Sequence, residues 1–157
     1  MAFNYTLPLR VAQGLFAILI LGLMAYVVSD WDGYYAGSPA EANFVLFCSV
    51  WTVLALAYLT IAPVRFETAA HKFGILAAEA LTMIFWFAGF IALAVLLTDV
   101  RCRRWGPCRA AKAAVVFAAF EWLLFAATTI MASLHVWRTR RDHSSKHDPT
   151  MEVHPSA

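Results

Sequence analysis

Charged side chains are scarce in this chain. They make up 14% of 157 residues, against about 25% in a typical soluble domain. That shortage excludes an ordinary water-facing surface. The formal net charge is only +2, too little to steer the chain to nucleic acid. Cysteine is nearly absent too. Cys48, Cys102 and Cys108 contain no Cys-x-x-Cys spacing, so a zinc cluster or a thioredoxin-type redox centre has no support. There is no internal repeat, no prenylation ending and no myristoylation start.

Apolar residues are what the chain has in abundance. They account for 62% of it, and the mean hydropathy is +0.67. They gather in runs separated by short polar junctions. The run from Phe73 to Leu97 is long enough to cross a bilayer as one helix, which takes about 20 residues. Between Ile75 and Leu97 lie twelve Leu, Ile, Phe or Val, which favour insertion by about 4 to 7 kcal/mol. The one acid in the run, Glu79, costs about 2.5 to 3.5 kcal/mol. Insertion wins, and the acid enters as a passenger that needs a partner. Thr82, Trp86 and Gly89 follow it at helical spacing, which marks that side for packing on other helices.

The same reading gives four spans, at about 9–28, 42–62, 73–97 and 110–137, in one membrane domain over 7–138. Thr6 or Leu7 is expected to cap the first helix, with Pro8 in its first turn. The first run is longer than the h-region of a signal peptide and lacks a clear cleavage site, so it reads as an uncleaved span. Ser29–Ser38 is expected as a loop. Ser38-Pro39-Ala40-Glu41 has the pattern of a capping box with proline at the first helical position. The segment 139–157 has too few large apolar residues to fold alone and is expected to be disordered. The fold class is therefore all-α, a polytopic bundle of four transmembrane helices.

An even number of spans places both termini on one side. That side carries Arg10, Arg65, Lys72, Arg138, Arg140, Arg141 and Lys146. The opposite side carries Arg101, Arg103, Arg104, Arg109 and Lys112. The excess favours cytosolic termini, and the acidic first loop agrees. The arginine-rich third loop disagrees.

Few residues could carry chemistry. Cys102 and Cys108 flank the third loop, where a disulfide would clip the third span to the fourth. It requires an oxidising compartment; the alternative is two unrelated loop thiols. A redox enzyme would need a more closely spaced, poised pair. Gln13, Glu79 and Glu121 are the intramembrane polar residues. The two acids are expected about 10–15 Å apart in height. Arg10 and Gln13 suit Glu79, and Trp51 and Thr52 suit Glu121. The acids read either as a proton or cation relay or as buried groups that fix helix register. A relay needs a continuous polar path, and only Thr82, Thr128, Thr129 and a few tryptophans lie between them. His71 and His135 share one face, but bis-histidine haem ligation is a far less common reading than two interfacial histidines. No catalytic residue, cofactor site or metal site is assigned.

Ala110, Ala114 and Ala118 form a small-residue stripe leading to Glu121. Arg10, Phe16 and Leu19 loosely fit a proposed cholesterol pattern. Trp31, Tyr34, Tyr35, Trp105 and Trp137 are expected as interface anchors.

Four stretches carry a family resemblance: Leu9–Ala17 (LRVAQGLFA), Asn43–Thr52 (NFVLFCSVWT), His71 through Glu79 to Phe90, and Ala118–Phe125 (AAFEWLLF). Their order and spacing over about Leu7 to Arg138 resemble the fungal branch of the MARVEL-domain proteins, akin to the non-classical export group. The resemblance implies an M-shaped four-helix bundle with cytosolic termini and a cysteine-bearing outer loop. It implies plasma-membrane or secretory-vesicle residence. It also implies a role in membrane apposition, sterol- or sphingolipid-rich microdomains and vesicle trafficking, without catalysis. Expected partners are membrane lipids, further copies of the chain or other membrane proteins. The rival reading is a small transporter or proton- or cation-conducting unit using Glu79 and Glu121.

Overall fold

The computed structural model describes residues 3–34, 37–65, 72–99 and 106–144. They form four helices: α1 (Phe3–Tyr34), α2 (Ala40–Arg65), α3 (Lys72–Asp99) and α4 (Gly106–Ser144). Even α2, with 26 residues, reaches about 39 Å at 1.5 Å per residue. The hydrocarbon core of a bilayer is about 30 Å thick. Each helix therefore spans it and continues into the headgroup layer.

The helix ends differ from the sequence expectation in the same direction. Helix α1 runs to Tyr34, through most of the segment expected as a loop. Asp30 and Asp32 are polar but do not break a helix, and punctuation comes only at Gly33 and Gly37. Gly37 has φ +143°, in the left-handed region that favours glycine. At the other end, Pro8 lies inside α1 and not in its first turn. Helix α4 continues to Ser144, into the segment expected to lack structure. Pro39 stands just ahead of α2, and its carbonyl accepts the Asn43 N–H at 3.1 Å. The Ser38 hydroxyl donates to Asn43 Oδ1 at 3.0 Å, so serine and asparagine, not the expected serine and glutamate, tie off this end.

Burial follows a 3–4 spacing on every helix. On α1 the buried positions are Gln13, Ala17, Ile20, Met24, Val27 and Trp31. On α4 they are Pro107, Cys108, Ala111, Ala114, Ala118, Glu121, Phe125 and Thr128. That spacing gives the narrow inner seam of a coiled-coil-like bundle. The helices pack in ring order, α1 on α2, α2 on α3, α3 on α4 and α4 on α1. Among the described residues the diagonal backbones do not meet.

Small residues set the close approaches. A Cβ on Gly89 of α3 would lie 3.4 Å from Val45 Cγ2 and 3.7 Å from Cys48 Sγ of α2. The alanine seam on α4 is Ala111, Ala114 and Ala118; Ala110 sits half-buried beside it. Aromatic rings fill the outer grooves. Phe44, Phe47 and Trp51 meet Phe85 across α2 and α3. Phe87 and Phe90 meet Trp122 across α3 and α4.

The polarity of inside and outside is inverted relative to a soluble bundle. Gln13, Ser49, Thr52, Glu79, Thr82, Glu121 and Thr128 are all buried. Leu15, Ile18, Leu54, Ile84, Val95, Phe120, Leu123 and Ile130 are exposed. So large a contiguous apolar exterior needs lipid, not water, around it. All four helices are long and apolar enough to cross a membrane: Thr6–Gly33, Ala40–Ile61, Phe73–Asp99 and Gly106–Arg138. Trp31 departs from its expected role as an interface anchor: it is buried in the core. Trp137 is exposed, as an anchor would be. Tyr35 and Trp105 lie outside the described residues.

Candidate functional site

The polar interior falls into two layers. The lower layer is built from three helices. Arg10 and Gln13 are one turn apart on α1, so they share a face. Glu79 projects from α3, on the diagonal, and Thr128 from α4. The Arg10 guanidinium pairs with Glu79 Oε1. It also donates to Gln13 Oε1 at 3.2 Å. Gln13 Nε2 donates to Thr128 Oγ1 at 3.3 Å. The Thr128 hydroxyl donates to Glu79 Oε2 at 2.6 Å. The four side chains thus close a ring in which both Glu79 oxygens have donors. It joins two helices, α1 and α3, whose backbones do not touch.

Burial makes this ring matter. Glu79 is 1% exposed and the Arg10 side chain 15%. A charge in the bilayer interior is tolerated where it faces the bundle and has a partner. Arg10 supplies the counter-charge and Thr128 the second donor.

A middle pair of bonds joins α2 to α3. Trp51 Nε1 donates to Thr82 Oγ1 at 3.1 Å, and Trp86 Nε1 donates to Thr52 Oγ1 at 2.9 Å. Each indole N–H thereby finds an acceptor inside an apolar wall.

The upper layer holds Glu121. It lies seven residues before Thr128, two turns or about 10 Å along α4. Helices α1 and α3 run antiparallel to α4, so the matching steps are from Gln13 to Ile20 and from Glu79 to Trp86. Glu121 is fully buried, and neither of its carboxyl oxygens has a hydrogen-bond partner among the described residues. Trp51 and Thr52, expected from the sequence to serve it, are engaged with Thr82 and Trp86 instead.

The remaining candidates are dispersed. Cys48 is a buried free thiol whose S–H lies 3.7 Å from the Phe85 carbonyl. Cys108 is buried at the start of α4, while Cys102 lies outside the described residues. His135 is exposed on α4, and His71 also lies outside the described residues. Among the described residues there is no group of three or more His, Cys, Asp or Glu that could hold a metal ion.

Sequence reasoning named Thr128 only as a polar residue between the acids and did not single out Trp86 as a donor. A signal was present: Trp86 lies seven residues after Glu79 and Thr128 seven after Glu121. Each is therefore on the same helix face as its acid.

Residues 2–131 match the model of the MARVEL membrane-associating domain. Neither the curated proteins nor the solved structures give a significant match. The family match covers most of the chain and coincides with the helices that enclose the polar layers. The chain belongs to the MARVEL family, as a multi-pass integral membrane protein.

Proposed function

We propose that this protein organises membrane domains, membrane apposition or vesicle cargo through helix packing and lipid contact, without catalysis. The observation that carries the reading is the division of labour between inside and outside. Inside, four buried hydroxyls donate to a neighbour, and the Thr129 hydroxyl has no partner among the described residues. Ser49 donates to the Val45 carbonyl at 3.0 Å, Thr52 to Cys48 at 2.8 Å and Thr82 to Ala78 at 2.7 Å. Thr128 donates to Glu79. The first three bonds are internal to a helix and the last joins α4 to α3; among the described residues they leave no continuous chain of exchangeable hydroxyls between the acids. Outside, the aromatic and aliphatic faces are what lipid meets. Span length biases such a bundle toward bilayers of matching thickness.

Sterol- or sphingolipid-rich regions of the plasma membrane or of secretory vesicles are the proposed setting, with cytosolic termini. Self-association or contact with other membrane proteins would extend the ordered patch. Reconstitution into phase-separated giant vesicles tests this. Enrichment in the thicker, sterol-rich phase is expected, together with crosslinking to photoactive sterol or sphingolipid in native membranes. Exclusion from that phase, with crosslinking no greater than to a bulk phospholipid probe, would overturn it.

One observation favours the transport reading: the carboxyl of Glu121 has no hydrogen-bond partner among the described residues. Flux in liposomes separates the two readings.

A further inference from the structure

The interior contains two acids in opposite circumstances. Glu79 has a counter-charge and two donors, and its ring is closed. Glu121 has neither, although it is fully buried. We propose that Glu121 is the ligand carboxyl of an intramembrane site for a small monovalent cation, a proton or a sodium-sized ion.

Each of the other helices presents its own residues at the height of Glu121. From α1 the residue at this height is Ile20, which offers no polar atom. From α3 it is Trp86, whose indole N–H is directed at Thr52. From α2 come Thr52 and, one turn away, Ser49, both fully buried. Their hydroxyl protons point at carbonyls of their own helix, which leaves oxygen lone pairs as what they offer. With the Trp86 N–H already given to Thr52, the layer offers acceptor oxygens and, among the described residues, no free donor.

Among the described residues no cationic side chain supplies the missing charge. Arg10 is two turns away and engaged by Glu79 and Gln13. On α4, Lys112 and Arg109 lie nine and twelve residues from Glu121 and are exposed. An ionised carboxylate in such a place needs a positive charge beside it. One carboxyl calls for one charge, and oxygen donors suit a hard cation. A divalent metal would want more ligands than the described residues gather.

This site differs from a conduit. Between the layers Thr52 and Thr82 donate within their own helices and Thr128 donates to Glu79; the unpartnered Thr129 hydroxyl makes no continuous path by itself, so the cation would be bound and not passed on. The proposal also stands apart from the lipid-organising reading, since either can fail without the other.

Labelling with dicyclohexylcarbodiimide tests it on the full-length protein in native membranes. This apolar reagent adds to a protonated carboxyl. The acid proton goes to a carbodiimide nitrogen, the carboxyl oxygen bonds to the central carbon, and an acyl shift leaves a stable N-acylurea with no leaving group. Peptide mass spectrometry should find the adduct on Glu121 and not on Glu79. Labelling should quicken as pH falls and vanish in Glu121→Gln. Slowing by sodium chloride, relative to choline chloride at the same pH, would identify a sodium-sized ion as a competitor. Indifference to sodium would identify the proton as the sole occupant.

Infrared spectroscopy in sodium-free buffer covers the case in which the reagent cannot reach the layer. A carboxylic C=O band lost in Glu121→Gln and kept in Glu79→Gln supports the site. An adduct on Glu79 alone, labelling of Glu121 that ignores both pH and sodium, or absence of both adduct and band overturns it.

Discussion

Arg10 and Glu79 meet across the diagonal of the bundle, and removing one of them should do more harm than removing both. Arg10→Ala leaves the Glu79 carboxylate buried beside Thr128 alone. Breaking a buried pair in this way costs about 3–5 kcal/mol. The double substitution Arg10→Leu with Glu79→Leu removes both charges and should recover most of that loss. Thermal unfolding in bicelles measures the cycle; a double variant no more stable than Arg10→Ala would contradict the pairing. Thr128→Val should cost less, about 0.6 kcal/mol and no more than about 1.7 kcal/mol, the range of interhelical hydrogen bonds in membranes. Arg10 and Gln13 could be read from the sequence as partners of Glu79, because one turn of α1 places them on one face at its height. Thr128 could not be read as the closing member. A threonine hydroxyl in a helix is equally able to bond its own backbone, and here the Phe125 carbonyl lies 3.1 Å away. The situation of Glu121 was also hidden. Hydropathy gives the height of Trp51 and Thr52, but packing sets the rotation that directs them to Thr82 and Trp86.

Helices α2 and α3 approach closely at a position where α3 has no side chain. Gly89 is the contact, with Val45, Cys48 and Phe44 opposite. Gly89→Ala puts a methyl at 3.4–3.8 Å from these atoms, ordinary contact for most of them. Its helix propensity is better by about 1 kcal/mol, so stability should be unchanged or raised. Gly89→Leu forces the helices apart and should cost about 1–3 kcal/mol by overpacking. Equal melting temperatures for the two variants would contradict this contact. The existence and order of the four helices were legible because each apolar run is long and bounded by polar junctions. Their ends were not. Hydropathy marks where lipid begins, whereas a helix continues into the headgroup layer, as α2 does through Pro63 to Arg65. Trp31 shows the consequence: it was expected at an interface but completes the buried seam of a longer α1.

Across the whole molecule, sidedness joins the fold to its setting. We expect a Cys102–Cys108 disulfide in a third loop outside the cytosol, with Cys48 shielded in the core. A membrane-impermeant maleimide applied to intact cells should label these two cysteines only after reduction. Cys48 should react only on unfolding. Labelling without reductant, or only after cell lysis, would contradict the arrangement. The arginines of that loop kept charge counting from settling the orientation.

The Arg10–Gln13–Thr128–Glu79 ring and the two indole–threonine bonds bind the helices to one another, and we propose that the buried polar side chains open no path through the bundle. Proton flux into liposomes carrying the purified protein, driven by a pH gradient, tests this most directly. The rate should equal that of protein-free liposomes, and Glu79→Gln and Glu121→Gln should leave it there. A rate well above that background, abolished by either substitution in a protein that still folds, would contradict the claim.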